Sequence, residues 1–330
     1  MKIDPKILSE AAKLYGLSIS DLRPLGGMEG MALEFRREGK DYVLKITPRD
    51  KGDSDQTRQI EEKSEFVDYL AENGVRVAEP VPSPAGNWVE VLETDEKIYL
   101  ISAATKAAGK HVEIYYASQT SLVFFQDWGR VTGQMHALAK RYPFWQKTQD
   151  DGSISTITDW KGEHQFFQGW CRHEGIRQKW IELGEKIESL PQTREGFGLI
   201  HNDLHPWNFM VDAGGQITVI DFDVCAYHFF IKDIAIALFF ANWNGRPPKG
   251  QSKDDYLTSF FRSFMTGYSF ENELEGFWFA QLPLFLRHHQ ILLHTVFSDE
   301  WKKPNPWQAN ALQKWEHQIL KDIPVVSIQF

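Results

Sequence analysis

The stretch LIHNDLHPWNFM, Leu199 to Met210, sets His201, Asp203 and His205 at alternate positions. In an extended segment the three share one strand face, and two imidazoles with a carboxylate suit zinc or iron. Pro206 and Trp207 follow at once, and no second cluster of His and Asp with ligand spacing appears downstream. A rival reading pairs Asp203 with Asn208. The spacing D-x-x-x-x-N lets a loop offer one carboxylate to a substrate hydroxyl and one amide oxygen to Mg²⁺. That reading requires a further acidic group, and ITVIDFDVC provides it as an apolar β-like run ending in Asp221 and Asp223. The turn in VDAGGQITVI makes NFMV and this run a hairpin, which is expected to bring Asn208 and Asp221 near each other.

Outward from this stretch, the chain changes character. The first hundred residues alternate and turn often, whereas the remainder shows long stretches of helical periodicity. MALEFRREGKDYVLKIT and WVEVLETDEKIYLIS each read as two strands around a turn, so an antiparallel sheet of about five strands is expected. Between them, SDQTRQIEEKSEFVDYLAENGV places Ile60, Val67 and Leu70 at helical spacing and stops at Asn73-Gly74, predicting one helix on that sheet. After YLISAATKAAGK come helical segments, including LVFFQDWGRVTGQMHALAKRY and FWFAQLPLFLRHHQILLHTVF. KTQDDGSISTITDWKG is polar and turn-rich and reads as a loop. The expected fold is α+β and bilobal, with residues 1–102 as the N-terminal lobe and 103–330 as a larger, mostly α-helical C-terminal lobe.

With 330 residues, 42% hydrophobic and 25% charged, there is ample material for two cores. A net charge of -9 argues against a broad phosphate-binding surface, so nucleic acid is not expected as a partner. Cys171 and Cys225 form no CxxC arrangement, the N-terminus lacks the apolar core of a signal peptide, and runs such as IAIALFFANW are too short to span a bilayer. These features lead to the expectation of a cytoplasmic protein without membrane association; the oligomeric state is left open.

In the N-terminal part, PLGGMEGMALEF places Gly26, Gly27 and Gly30 between two strands, where missing side chains let backbone N–H groups approach phosphates. A plain hairpin turn accounts for the same glycines. In YVLKIT, Tyr42, Leu44 and Ile46 share one strand face and Val43 and Lys45 the other, so the lysine rises from a partly apolar wall.

HNDLHPWN resembles the H-G-D-x-x-x-x-N catalytic loop of the aminoglycoside phosphotransferase and choline kinase-like family, whose fold is related to the protein kinases, and IDFD resembles that family's metal-binding segment. The likeness covers most of the chain. It implies ATP and Mg²⁺ as cofactors, with Asp203 accepting or orienting a substrate hydroxyl and Asn208 and Asp221 holding the metal. It further implies that Gly27, Gly30 and Lys45 bind the nucleotide phosphates, and that a glutamate of the following helix, Glu62 or alternatively Glu65, holds the lysine. Adenine is expected against the connector at Ile101 to Ala104, with Ile101 and Ala103 as hinge residues. Asp233 resembles an aspartate that braces the catalytic loop, His136 reads as a packing histidine, and His205 as a bystander or pocket-edge residue. Asn202 departs from the family's glycine.

The implied activity is transfer of the γ-phosphate of ATP to a hydroxyl of a small polar molecule. Aromatic and acidic residues in the helical part point to an amino alcohol or aminoglycoside-like acceptor, while Arg287, His288 and His289 could contact a carboxylated one such as homoserine. A Ser/Thr protein kinase of the same fold, a regulatory module without turnover and a metallohydrolase remain the alternatives.

Overall fold

The computed structural model describes residues 3–26, 30–51, 55–112, 120–142 and 155–328. These divide into two compact units, the first taking the described residues up to Lys110, residues 155–157 and Thr218–Asp223, and the second all the others.

In the first unit, α1 (Pro5–Leu14) starts on an Asp4 side chain that accepts from the Lys6 N–H and on a proline whose missing donor costs nothing in a first turn. Strands β1 (Arg23–Gly26), β2 (Met31–Arg37) and β3 (Lys40–Asp50) precede α2 (Asp55–Glu72), and β4 (Pro80–Val81), β5 (Val89–Glu93) and β6 (Lys97–Thr105) complete the sheet. Glu38 and Gly39, both at positive φ, make the two-residue turn joining β2 to β3. The six antiparallel strands run β1-β2-β3-β6-β4, with β5 also on β6. One more strand than expected is present, the two-residue β4. Helix α1, an addition to the expected elements, packs Ala11, Ala12 and Tyr15 against Leu33, Leu44, Ile46 and Ile101. Covering that face leaves Lys45 to the other, because side chains alternate along β3.

The second unit is mostly helical, with α3 (Thr120–Ala139), α4 (Trp160–Trp170) and α5 (Glu174–Glu188) leading to the short strands β7 (Phe197–Ile200) and β8 (Phe209–Val211) and, after β9 (Ile217–Val219), whose Thr218 and Val219 belong to the first unit, to β10 (Ala226–Phe229). Then come α6 (Ile231–Asn244), α7 (Lys253–Ser269), the single turn α8 (Gly276–Phe279), α9 (Leu282–Glu300) and α10 (Pro306–Leu320). FWFAQLPLFLRHHQ, read as one helical segment, divides at Ala280-Gln281 because Pro283 can sit only in a first turn. Helices α3 and α7 meet backbone to backbone. A Cβ on Gly129 would lie 1.8 Å from the Phe264 carbonyl oxygen, and one on Gly267 1.8 Å from that of Gln126. Helix α6 is buried from Ile231 to Ala241 and forms the axis against which α9 and α7 pack. Among the described residues no helix is long and apolar enough to cross a membrane.

Candidate active site

The second unit presents Asp203 in the loop between β7 and β8. β7 pairs antiparallel with β10, Ile200 opposite Ala226, and this buried ladder fixes where the loop begins. Asp233, 1% exposed in the first turn of α6, then sets its course. Its Oδ2 accepts from the His201 N–H at 3.1 Å and from His136 Nε2 at 3.2 Å, and its Oδ1 accepts from the Asn202 N–H at 2.8 Å. Because His136 gives its Nε2 proton to Asp233, its Nδ1 accepts from the Tyr268 hydroxyl at 3.0 Å, which in turn accepts from Asn272 Nδ2 at 2.7 Å. His136 is thus a link in the brace as well as a packing residue.

Beyond Asn202 the loop closes on itself. The His205 N–H donates to the Asp203 carbonyl at 2.9 Å, and the Asn208 N–H to the His205 carbonyl at 2.8 Å. Asn208 Nδ2 donates both to the Asp203 carbonyl and to its Oδ2, each at 2.9 Å, so the amide Oδ1 is the atom of Asn208 left to meet a cation.

His205 is no bystander. Its Nδ1 accepts from the Trp207 N–H at 3.2 Å, which puts the ring proton on Nε2, and Nε2 lies 3.3 Å from Asp203 Oδ2. Burial by itself would raise the Asp203 carboxyl, but the hydrogen bond and charge of His205 outweigh it and hold the group below the usual carboxylate value. These contacts also dispose of the metal reading of His201, Asp203 and His205. His201 Nδ1 accepts from the Asp203 N–H at 3.3 Å, so both imidazoles are turned to backbone donors.

Asn202 has φ +68, the left-handed region that a glycine would occupy freely and that asparagine tolerates best among the other residues. Its side chain compensates. Asn202 Nδ2 donates to Glu163 Oε2 and, at 3.1 Å, to the Val224 carbonyl. Glu163 Oε1 accepts from the fully buried Lys232. Glu163, His228 and His288 have potential ligand atoms within 4.8 Å of one another, the one such group among the described residues. The Lys232 ammonium already serves as the cation there, and burial together with its charge holds His228 and His288 neutral. Asn202→Gly is expected to change unfolding stability by less than about 1 kcal/mol, relief of the backbone offsetting the lost hydrogen bonds, whereas Asn202→Ala costs about 2 kcal/mol. Urea melts of the two variants measure the difference.

In the first unit, Thr218–Asp223 is anchored by the parallel bridge Val77–Val219, with the Ala78 N–H on the Val219 carbonyl at 2.8 Å and the Val219 N–H on the Arg76 carbonyl at 2.9 Å. Asp221, at φ +66, and Asp223 follow directly. Lys45 Nζ ion-pairs with Asp223 and lies 3.6 Å from Asp221 Oδ1, while Lys63 Nζ donates to the Asp223 carbonyl. Glu62 is buried on α2 and Glu65 is exposed. The Glu62 carboxylate accepts from Arg58 Nε at 2.9 Å, from the Ser155 hydroxyl at 2.7 Å and from the Thr156 N–H at 2.9 Å. Of the acids considered, the structure therefore brings Asp221 and Asp223 to the Lys45 ammonium and directs Glu62 to the 155–156 segment.

Gly27 lies outside the described residues. Gly30 has a packing reason for lacking a side chain, since a Cβ would stand 2.6 Å from the Ile46 carbonyl oxygen on β3. Ile101 and Ala103 do not offer the free main-chain groups expected of a hinge. β6 is paired on both edges, Ile101 with Ile46 and Glu90 and Ala103 with Leu44 and Val81, and the Ile101 carbonyl also accepts from the Tyr15 hydroxyl. The strand simply runs further than its composition indicates, to Thr105.

A family model described as "Phosphotransferase enzyme family" matches residues 23–270. Among curated proteins, the amicoumacin kinase of Bacillus subtilis (strain 168) is 32% identical over 302 residues, covering 89% of this chain and 86% of that one. Among solved structures, an amicoumacin kinase in complex with AMP-PNP, Ca²⁺ and Ami superposes with a TM-score of 0.85 at 26% identity, covering 99% of this chain and 96% of the other. A microcompartment-associated aminopropanol kinase, 21% identical over 96% of this chain and 95% of its own, shares the fold with a TM-score of 0.72. The chain belongs to the phosphotransferase enzyme family, and it is a phosphotransferase acting on the hydroxyl of a small molecule.

Proposed function

We propose that the chain moves the γ-phosphoryl group of ATP directly to the acceptor hydroxyl, with Asp203 facing that hydroxyl. The carrying observation is the use of one carboxylate oxygen. Asn208 and His205 both donate to Asp203 Oδ2, so Oδ1 is left to accept from a substrate O–H. The acceptor oxygen bonds to phosphorus as the bond to the bridging oxygen of ADP breaks, and the hydroxyl proton passes to Oδ1.

Asn208 Oδ1 and the Asp221 carboxylate are the proposed ligands for Mg²⁺. Hard oxygen donors of this kind suit a divalent cation that favours oxygen, and none of the set is a thiolate or imidazole. Such an ion supplies charge neutralisation on the transferring phosphoryl group. Lys45 binds a nucleotide phosphate as a point charge, tethered at rest by Asp221 and Asp223. Residues 1–102 then serve the nucleotide, with Gly27 and Gly30 in the turn over its phosphates, Glu62 stiffening α2 behind the sheet, and base contacts made by the chain leaving β6 after Thr105. Residues 103–330 serve catalysis and the acceptor.

Amicoumacin is the first acceptor to try, because two relatives carry that name, followed by aminoglycosides, amino alcohols and homoserine. The deciding experiment is a coupled ADP-release screen across these compounds with sugars and Ser/Thr peptides alongside. Acceptor-stimulated ADP release with a phosphorylated small-molecule product is expected. Peptide phosphorylation, or MgATP binding with no stimulated release by any acceptor, would overturn the reading.

A further inference from the structure

Asp223 is held from two directions. Its carboxylate pairs with Lys45 of β3, whose Nζ also lies 3.6 Å from Asp221 Oδ1, and its main-chain carbonyl accepts from Lys63 Nζ of α2. Because both contacts fall on one residue, the two ammonium groups stand within about 10 Å of each other, comparable to the Debye length in dilute salt, and so act on the same anion. Lys45 and both carboxylates are partly exposed and Lys63 is half-buried, which leaves the group within reach of a ligand from solvent.

The phase of α2 explains why a lysine stands there. Consecutive helical residues point about 100° apart, so the turn that directs Glu62 to Arg58, Ser155 and Thr156 gives the next position, Lys63, to Asp223. Where the resemblance leads one to expect a carboxylate at Lys45, α2 brings an ammonium to the same segment. With Glu62 answered by Arg58, Asp221 and Asp223 face Lys45 and Lys63, and the two signs balance. Lys45 alone would leave net negative charge where the phosphates of a nucleotide must enter, and like charges there cost binding. An ammonium carries three donors, so Lys63 can keep the Asp223 carbonyl while meeting a phosphate oxygen.

We propose that Lys63 is a second phosphate ligand, reaching the nucleotide from α2 as Lys45 does from β3, and that Asp223 holds both ammonium groups in place until phosphate oxygens replace its carboxylate on Lys45. The inference rests on the ATP-dependent reading of this site and adds a binding residue to it.

Titration of MgADP into the acceptor-free protein reads the proposal without turnover. Lys63→Met is expected to weaken MgADP about tenfold, with Lys45→Met alongside to set the scale, while adenosine, read by competition, binds within about twofold of wild type. Lys63→Arg keeps the charge and should stay within about threefold of wild type. Lys63→Gln, which keeps a donor for the Asp223 carbonyl but no charge, should be as weak as Lys63→Met. Wild-type affinity should also fall more steeply with added salt than that of Lys63→Met. Unchanged MgADP affinity in Lys63→Met overturns the proposal. So does equal weakening of MgADP and adenosine, or recovery by Lys63→Gln, since each marks Lys63 as a tie between α2 and the Asp223 carbonyl alone. Should Lys63→Met fail to fold, Lys63→Arg and Lys63→Gln decide between them. A wild-type protein that binds no MgADP defeats the nucleotide reading instead, so the two failures are told apart.

Discussion

Asp203→Asn is expected to lower kcat by about a thousandfold, the range in which a positioned proton acceptor acts, while leaving the affinity for MgATP within about twofold. The substitution is nearly isosteric, but its orientation is not free. Asn208 Nδ2 and His205 Nε2 both point donors at the Oδ2 position, so the new amide must place its oxygen there and its NH₂ at the Oδ1 position. The group facing the acceptor then donates where it formerly accepted. Both proton acceptance and orientation of the hydroxyl are lost while the loop stays in place. ADP-release kinetics set beside a thermal shift with MgATP separate the effects. More than about a tenth of wild-type turnover would sink the assignment of Asp203 as acceptor. Because His205 holds the Asp203 carboxyl below the usual carboxylate value against the opposing effect of burial, the group stays ionised through weak acid. An acid limb of kcat near neutrality would therefore not be the titration of Asp203.

What the sequence made legible was whatever lies in one short stretch. Asp203 with Asn208, and Asp221 with Asp223, are separated by a few positions whose spacing suggests the proposed chemistry, and Lys45 is singled out by alternation along a single strand. The α2 boundaries were readable for the same reason, from a local period and an Asn73-Gly74 stop with Gly74 at positive φ. Contacts between distant segments were not. Glu62 looks equally suited to a lysine or to a loop until Ser155 and Thr156 arrive from 93 and 94 residues away. Ile101 and Ala103 read as a connector because nothing in a linear run tells that partners will close both edges of β6. The Asn202 side chain finds Glu163 across 39 residues and Glu163 finds Lys232 across 69, so a departure from the family's glycine could be seen but its compensation could not. His205 was within view, yet its role depends on a tautomer fixed by the Trp207 N–H, a feature of loop geometry that residue spacing does not encode. Helix α1 is a different omission, since Pro5 and the apolar spacing through Ala11, Ala12 and Tyr15 were present to be read.

Asp233→Ala is expected to cost on the order of 3–5 kcal/mol of unfolding free energy, the loss that follows when one side of a buried, charge-assisted network is removed. Three donors converge on this carboxylate, the N–H groups of His201 and Asn202 and the Nε2 of His136. Both histidine and aspartate side chains are 0% exposed, so no solvent stands ready to replace the acceptor. The carboxylate also lies in the first turn of α6, where its charge opposes the helix dipole favourably. Asp233→Asn keeps the shape and one acceptor but presents an NH₂ toward donors, and so should recover only part of the loss. The effect on activity should exceed what unfolding explains. Even in the folded fraction, two freed N–H groups at His201 and Asn202 release the chain immediately before Asp203, and kcat should fall about a hundredfold with MgATP binding preserved. Calorimetry gives the stability and single-turnover kinetics at a temperature where the variant is folded give the rate. A variant that melts with the wild type, or a folded variant with wild-type kcat, would show that the loop holds its shape without this carboxylate, and the brace assigned to α6 would have to be withdrawn.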